Sequence, residues 1–537
     1  MVDHIYPSGA TLGSTTSIEL IGEFDSWPPS VWVSDPGLSI EFLSDQGKAK
    51  VRVDPDTAPG PKLLRFYNSF GAARPRFFLV SPLSELLESE PNDRSQDSNQ
   101  VQELPTVLNG RLNRGGDSDS YQIPLEKGQW LIAEAFAYRL QSNVDLLMQL
   151  VDPQGTKIAL NHDYHHLDPF LTCQAPESGL YTFQVMGFEY PAKADIRLGG
   201  GKNFIYRVRL DAGPYVHHTI PLAAHPSTTE SLSLVGWNLP SDRWRRPAGL
   251  PHSSAKSGES VWKIALDGSP KPFEVALSPH PEDRERSTES TQLLPVPGSV
   301  TGQVETDHEE DSYQVDLVQN TPYTFTVSGH APIHQFDPWI ALEHLDGSLI
   351  KRDDDSGPGQ DAKLNWTPEK SGPYLIRIGN LLENGAANYV YRLSVIESHP
   401  DFIATLNESQ FILNPGSTND VSISIARING HNTPLQFKFR NLPVTITQSG
   451  GLSESSGKQT TLQLVTRADA PPFLGETSLV STTPSTQSQQ LVPATFLGVS
   501  VNNGVPGGFE DLVTTETPSI WITIPPQAEP EEPGDSP

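Results

Sequence analysis

Hydrophobic and polar residues alternate in short runs along most of this chain. Ser17-Ile18-Glu19-Leu20-Ile21-Gly22 alternates before a turn, and Lys50-Val51-Arg52-Val53 and Leu64-Arg65-Phe66-Tyr67 do the same. A period of two sets one face on a core and the other in water, so each run reads as a half-buried strand. Turn chemistry separates the runs: Asp152-Pro153-Gln154-Gly155, Asn384-Gly385, Asn429-Gly430 and Asn503-Gly504. Such residues tolerate positive φ or bond their own backbone. Helical periodicity is weak, and its clearest short candidate is Ser84–Leu87. The pattern predicts an all-β, multi-domain chain of tandem β-sandwiches.

An internal repeat organises the chain. Gly116-Asp117-Ser118-Asp119-Ser120-Tyr121-Gln122 matches Glu309-Glu310-Asp311-Ser312-Tyr313-Gln314. Asn143-Val144-Asp145-Leu146 then matches Gln335-Phe336-Asp337-Pro338, and Leu150-Val151-Asp152-Pro153-Gln154-Gly155 matches His344-Leu345-Asp346-Gly347. Ser178-Gly179-Leu180-Tyr181-Thr182-Phe183 matches Ser371-Gly372-Pro373-Tyr374-Leu375-Ile376. Both copies close alike, on Tyr206-Arg207 and Tyr391-Arg392. A fainter repeat precedes each copy, with Tyr6-Pro7 set against Tyr215-Val216 and the run 17–22 against 231–236. A small β-domain followed by a larger one is therefore duplicated, with segments 1–82, 83–212, 213–275 and 276–397. The second small domain carries a polar insert at 241–256. From about 398 to 500 the pattern changes to Val421-Ser422-Ile423-Ser424-Ile425 and Thr461-Leu462-Gln463-Leu464-Val465, one more immunoglobulin-like sandwich. Residues 501–537 read as an extension whose Pro- and Glu-rich end, from 525, is expected to be disordered.

Composition sharpens this picture. A length of 537 residues suits three to five domains of about 100–150 residues. Pro (49) and Gly (42) exceed their usual joint share of about 12%, which argues against a helical bundle. A net charge of −28 argues against nucleic acid or an anionic membrane as partner and permits divalent cations. Cys173 is the single cysteine, so no intrachain disulfide forms. No apolar run reaches the ~18 residues that a membrane-spanning helix needs. Met1-Val2-Asp3-His4 lacks the basic and apolar regions of an export signal, so the expectation is an intracellular protein or one whose signal has been removed.

The larger repeated unit resembles the bacterial pre-peptidase C-terminal (PPC) domain. That resemblance rests on Glu88-Ser89-Glu90-Pro91-Asn92-Asp93, on the Gly116 to Tyr121 strand, and on the closing Gly-x-Tyr and Tyr-Arg strands. It covers about 86–212 well and about 277–397 less well. It implies jelly-roll-like sandwiches appended to secreted bacterial proteases and surface proteins, with calcium and collagen binding in the related domains of collagenases. The small domains resemble immunoglobulin-like IPT/TIG modules. Together these imply an exported binding or scaffold protein rather than a catalyst.

The acidic opening of the first large repeat is the leading chemical candidate. Calcium takes six to eight hard oxygens. Glu88, Glu90, Asn92 and Asp93, with Asp117 and Asp119 from a later strand, offer carboxylates and an amide in one region, and the PPC comparison supports them as ligands. Glu88, Glu90 and Asn92 share a face if the stretch is extended. In the second repeat the equivalent stretch is His280-Pro281-Glu282-Asp283-Arg284-Glu285-Arg286. Glu282, Asp283, Glu309 and Asp311 form a weaker candidate set there, and internal Arg–carboxylate pairing is the favoured reading. The loop Asn161-His162-Asp163-Tyr164-His165-His166-Leu167-Asp168 has zinc-ligand chemistry, but its spacing is that of an ordinary exposed loop. Asp353-Asp354-Asp355 reads as a solvated hairpin tip. No G-x-S-x-G elbow occurs, and Cys173 reads as strand filler. Trp27, Trp32 and Trp237 read as core, whereas Trp244, beside Arg243, Arg245 and Arg246, reads as a contact patch.

The sequence therefore points to an exported, non-catalytic, calcium-stabilised scaffold of the bacterial surface or periplasm, with an extracellular polymer or protein as partner. The alternative is the accessory, substrate-binding or spacer portion of a secreted protease or other hydrolase. An enzyme in its own right is a third reading, and no motif supports it.

Overall fold

The computed structural model describes residues 2–192, 197–226, 231–244, 261–266, 269, 272–286, 291–330, 336–357, 361–483, 489–496, 501–502, 505–506, 509 and 512–527. Among them the chain is all-β, relieved only by the short 3-10 turns Ser95–Asp97 and Tyr138–Leu140. No helix among the described residues is long and apolar enough to cross a membrane. The Arg245–Arg246 half of the Trp244 patch, most of the insert at 241–256, the Asn503-Gly504 turn and the tail from 528 lie outside the described residues.

Period-two patterning produces the strands. In Val144–Val151, Val144, Leu146, Met148 and Leu150 are fully buried and the residues between them are not. Two five-stranded sheets face one another here. One runs Ser84–Leu87, Thr106–Arg111, Ile205–Asp211, Trp130–Phe136, Phe170–Gln174; the other runs Asn99–Gln100, Asp119–Leu125, Gly179–Glu189, Val144–Val151, Lys157–Asn161. Their inner faces share a core that includes Leu108, Tyr121, Leu146, Phe183 and Val208. The second large repeat has the same two five-stranded sheets in the same strand order, from Glu282–Arg284 to Val390–Glu397. Five sequence matches in order thus correspond to one topology built twice.

Ser84–Leu87 is a strand, not a helical turn. It pairs in parallel with Thr106–Arg111, Ser84 opposite Thr106. Four residues are too few to repay helix nucleation, and the extended form sends Leu86 to the core and Glu85 to Arg207.

The fainter repeat needs a shift. Tyr6 pairs with Glu19, and it is Ile220, not Tyr215, that pairs with Ser233. Strand pairing therefore supports the match of 17–22 to 231–236 and moves the preceding strand by five residues (215 to 220). Pro7 and Pro221 each follow the first strand, and each leads into a short strand, Gly9–Thr11 or Ala223–Ala224, that adds in parallel to the opposite sheet.

The last sandwich takes its closing strand from the region read as an extension. Ile520–Ile524 is wholly buried and lies between Gln410–Ile412 and Phe473–Thr482. This unit also docks on the first. Alternation places Arg65 in water, yet it is fully buried. Its guanidinium donates to Ser409 O and Oγ, both at 3.1 Å, and to Ser519 O at 3.4 Å. Tyr67 packs on Trp521 with ring centroids 4.8 Å apart, and Phe77 meets Phe496 edge-on at 6.0 Å. Leu140 of the first large repeat joins that contact. The chain thus folds back so that its first and last sandwiches meet beside the first large repeat.

Candidate metal centre

The site in the first large repeat lies where Ser84–Leu87 runs out into the acidic stretch. Glu88 N still donates to Asn109 O, at 3.0 Å, so the parallel pairing holds one residue further. This fixes Glu88: its Oε1 accepts from Arg111 N at 2.8 Å and from Tyr6 Oη at 3.1 Å. Glu88 Oε2 is buried without a hydrogen-bond donor and faces the Asp119 carboxyl. Burial first, then the Asp119 charge, pushes the Glu88 carboxyl up to about 10.

Asp119 opens the strand Asp119–Leu125 and is fully buried. Its Oδ2 accepts from Tyr206 Oη at 2.5 Å, and Tyr206 and Tyr121 share a hydrogen bond of 2.8 Å between their hydroxyls. Burial pushes Asp119 up to about 7. Asp117, also fully buried, accepts from Asn113 N through Oδ2, and its Oδ1 has no hydrogen-bond donor. Arg114 stands 3.8 Å from that oxygen and spends its nearer contact, 2.6 Å, on Asp93. Glu90 accepts from Asn113 Nδ2 at 2.8 Å and from Asn92 N at 3.1 Å.

Glu90, Asp117 and Asp119 each bring one oxygen within 4.8 Å of the others. Asn92 is fully buried against them, its amide edge 3.1 Å from both Glu90 Oε2 and Asp119 Oδ1. With nitrogen on that edge, Asn92 clamps the two carboxylates and accepts from Asn99. With oxygen there, it completes an all-oxygen set. Of the six residues singled out in the sequence, Glu90, Asn92, Asp117 and Asp119 converge and Glu88 adjoins them. Asp93 turns to Arg114, whose hydrogen bond holds it below the usual carboxylate range.

The second large repeat holds a parallel cluster with a different membership. Glu285, Glu309 and Asp311 each bring an oxygen within 4.8 Å of the others. Glu285 Oε2 accepts from Gln303 N at 2.9 Å, as Glu88 does from Arg111. Asp311 Oδ2 accepts from Tyr391 Oη at 2.5 Å, and burial pushes Asp311 up to about 8. Glu309 takes the Asp117 role by accepting from Glu305 N at 2.8 Å and Thr306 N at 2.7 Å. Glu285 Oε1 and Asp311 Oδ1 are buried without hydrogen-bond donors.

Glu282 and Asp283 are not part of that cluster. Glu282 binds Arg392 through two contacts, 2.5 and 3.1 Å, and Asp283 accepts from Arg286 at 2.8 Å. Register decides this. Glu282 opposes Ser299 where Glu85 opposes Val107, and Glu85 likewise holds the buried Arg207, at 2.7 and 3.1 Å. Glu85 and Glu88, like Glu282 and Glu285, are three residues apart. That E-x-x-E spacing, set against the closing Tyr-Arg pairs, is the signal that sequence reading passed over. Glu285→Gln should therefore remove ion binding at the second cluster, whereas Glu282→Gln should leave it intact and lower stability. Terbium luminescence paired with thermal unfolding separates the two.

The remaining candidates resolve into local structure. Asp353 accepts from Ser356 N at 3.0 Å and Lys363 N at 2.8 Å, a hairpin tip tied to itself. In the histidine-rich loop Asp168 is fully buried and accepts from three backbone N–H groups, so the loop is anchored rather than simply exposed. Asp145, His162 and Asp163 converge within 4.8 Å, with His162 and Asp163 already paired at 2.7 Å. Cys173 lies half-buried in a strand against the core. Trp27 and Trp244 pack against their sandwich cores, and Trp237 joins Phe170, Tyr215 and His217.

No family model matches this chain, and no curated protein does. Among solved structures, the fibronectin(III)-like modules of Clostridium thermocellum CbhA are similar at 9% identity, covering 45% of this chain and 95% of that chain with a TM-score of 0.14. The N-terminal eight Ig domains of Down Syndrome Cell Adhesion Molecule isoform 1.30.30 are similar at 10% identity, covering 92% of this chain and 71% of that chain, also with a TM-score of 0.14. Superpositions this loose transfer nothing about function.

Proposed function

We propose that this chain is an exported, non-catalytic, multi-domain binding scaffold whose large repeats are PPC-like sandwiches stabilised by calcium. The observation that carries this reading is the convergence of buried carboxyl oxygens at the same end of both repeats: Glu88 Oε2 and Glu285 Oε1 lack a hydrogen-bond donor at equivalent places, and Asp117 Oδ1 in the first cluster and Asp311 Oδ1 in the second lack one beside them. A buried acceptor without a donor costs about 1–3 kcal/mol, and more when charged. A cation held among Glu90, Asp117 and Asp119, or among Glu285, Glu309 and Asp311, relieves that cost at the oxygens it touches, together with the repulsion between facing carboxyls.

The donor set is all oxygen, which suits a hard ion such as calcium over zinc. Glu90, Asn92, Asp117 and Asp119, with Glu88 beside them, would hold the ion in the first repeat, and Glu285, Glu309 and Asp311 in the second. The ion would supply charge neutralisation and tie the opening stretch to the strand that carries Asp119. Extracellular modules bind calcium with Kd of roughly 10⁻⁴–10⁻³ M, a range matched to calcium outside cells. Two ions per chain are expected in equilibrium dialysis, with one lost in Asp119→Asn and the other in Asp311→Asn. A chelated chain that takes up no calcium at millimolar concentration would refute the assignment.

A further inference from the structure

Asp145 lies on the outward side of Val144–Val151, between the fully buried Val144 and Leu146. Alternation alone would leave it in water. The loop that follows Lys157–Asn161 lies over it instead, and Asp145 Oδ1 is buried without a hydrogen-bond donor. That loop brings an imidazole and a second carboxylate to it: Asp145, His162 and Asp163 each offer one ligand atom within 4.8 Å of the other two. The side chains of His162 and Asp163 are 43% and 50% exposed. The group therefore has a buried oxygen at its base and a rim that an ion can reach.

The loop is tied in place by its own bonds. His165 and Asp168 exchange two backbone hydrogen bonds of 3.0 Å, and Asn161 Oδ1 accepts from Phe170 N at 3.0 Å. The buried Asp168 carboxylate anchors its far end. The second large repeat supplies an internal comparison. Met148 pairs with Asn161 there as Ile340 pairs with Asp353, so Asp145, His162 and Asp163 correspond to Asp337, Asp354 and Asp355. Among the described residues those three aspartates form no such group. The nitrogen donor and the convergence both belong to the first repeat.

We infer that Asp145, His162 and Asp163 form a binding site for one divalent transition-metal ion of the zinc class. Imidazole and carboxylate are ordinary zinc ligands, with bonds of about 2.0–2.2 Å, whereas calcium calls for six to eight oxygens. A tetrahedron with bonds of that length has edges of about 3.3 Å. His162 Nδ1 and Asp163 Oδ2 are 2.7 Å apart, so this pair opens by a fraction of an ångström while Asp145 closes from within 4.8 Å. The two carboxylates balance the charge of the ion, and water completes its shell. Burial, then the Asp163 charge, pushes the Asp145 carboxyl up to about 7. A cation in the group offsets both of those costs. Its effect is to staple the loop to the strand Val144–Val151. The site shares no residue with the calcium clusters and stands independently of them.

Isothermal titration of zinc chloride into the full chain, stripped with chelator and then held in excess calcium, tests the inference. One equivalent of zinc should bind with calcium present, because calcium does not compete for a mixed nitrogen and oxygen set. Cobalt(II) should bind in its place with the visible absorption of a low-coordinate site, and zinc should bleach that colour. Asp145→Asn and His162→Ala should each weaken zinc binding tenfold or more. His162→Ala alters only a half-exposed side chain, so its unfolding midpoint without zinc should match that of the parent. His308, an exposed imidazole 3.4 Å from Glu383 with no third ligand, is the control, and His308→Ala should bind zinc as the parent does. No zinc uptake would overturn the inference, as would uptake that both site variants leave unchanged. Loss in His162→Ala alone would overturn the three-residue site in favour of a surface histidine.

Discussion

In excess chelator the chain should lose thermal stability as pH rises from about 5 to about 8, and calcium should remove most of that loss. Glu88, Asp119 and Asp311 are pushed up to about 10, 7 and 8 in the fold, from 4.5 for Glu and 3.8 for Asp in an open chain. Between those values the folded state keeps protons that the unfolded state has released. Stability is then fully present below the unfolded values and drains away as pH climbs toward the folded ones. Each retained proton contributes a slope on the order of 1.4 kcal/mol per pH unit. A loss of about 2 kcal/mol or more per repeat is therefore expected between pH 5 and pH 7. Calcium reverses the sign of the problem, because it needs the ionised carboxylates that burial resists. At a hundred times its Kd it adds about 2.7 kcal/mol to the folded state. Midpoints recorded across this range with calcium and with chelator decide the matter. Coincident curves, or a chelated midpoint that climbs with pH, would contradict the clusters described here.

The second large effect is expected at Asp168, away from either cluster. This carboxylate is fully buried and accepts from Ala137 N and Tyr138 N at 2.8 Å, Arg139 N at 3.1 Å and Arg139 Nε at 2.9 Å. It thereby ties the loop that follows Lys157–Asn161 to the turn Tyr138–Leu140. Asp168→Ala strands three backbone donors and takes one carboxylate from the largely buried Arg139, which keeps Glu134 and Ala135 O. Each buried donor left unsatisfied costs about 1–3 kcal/mol, so a loss of about 3 kcal/mol or more is expected. Asp168→Asn keeps one oxygen for Ala137 and Tyr138 and loses the ionic contact with Arg139, so a smaller loss of about 1–3 kcal/mol is expected. Denaturant unfolding of the two variants gives the order. Calcium uptake should be unchanged in both, and an Asn variant as damaged as Ala would show that the Arg139 contact carries the whole effect.

Much of the first site was legible in the chain. Asp117 and Asp119 precede a strand whose tyrosine is buried, and Glu90 and Asn92 sit in a short acidic stretch whose spacing draws attention. Glu285 was not legible by acidic density, since Glu282 and Asp283 are just as acidic. Only the parallel register with Gly298–Gln303 sends Glu282 to Arg392 and Glu285 to Asp311. Arg65 was misread for a related reason. Its alternation is that of a surface position, but its partners lie 344 and 454 residues away. Local patterning carries no information about a surface that another sandwich will cover.

The alternation of side chains determined the all-β class, and duplication of the motif order determined that one topology is built twice. Both follow from local physics, because a strand's period is set by its own backbone and a repeat is read by comparing the chain with itself. Which carboxyls converge, which of them keep a proton, and that the first and last sandwiches meet beside the first large repeat were decided by tertiary structure. Those properties depend on burial and on distances between residues far apart in sequence, and desolvation acts only once the fold has removed the water.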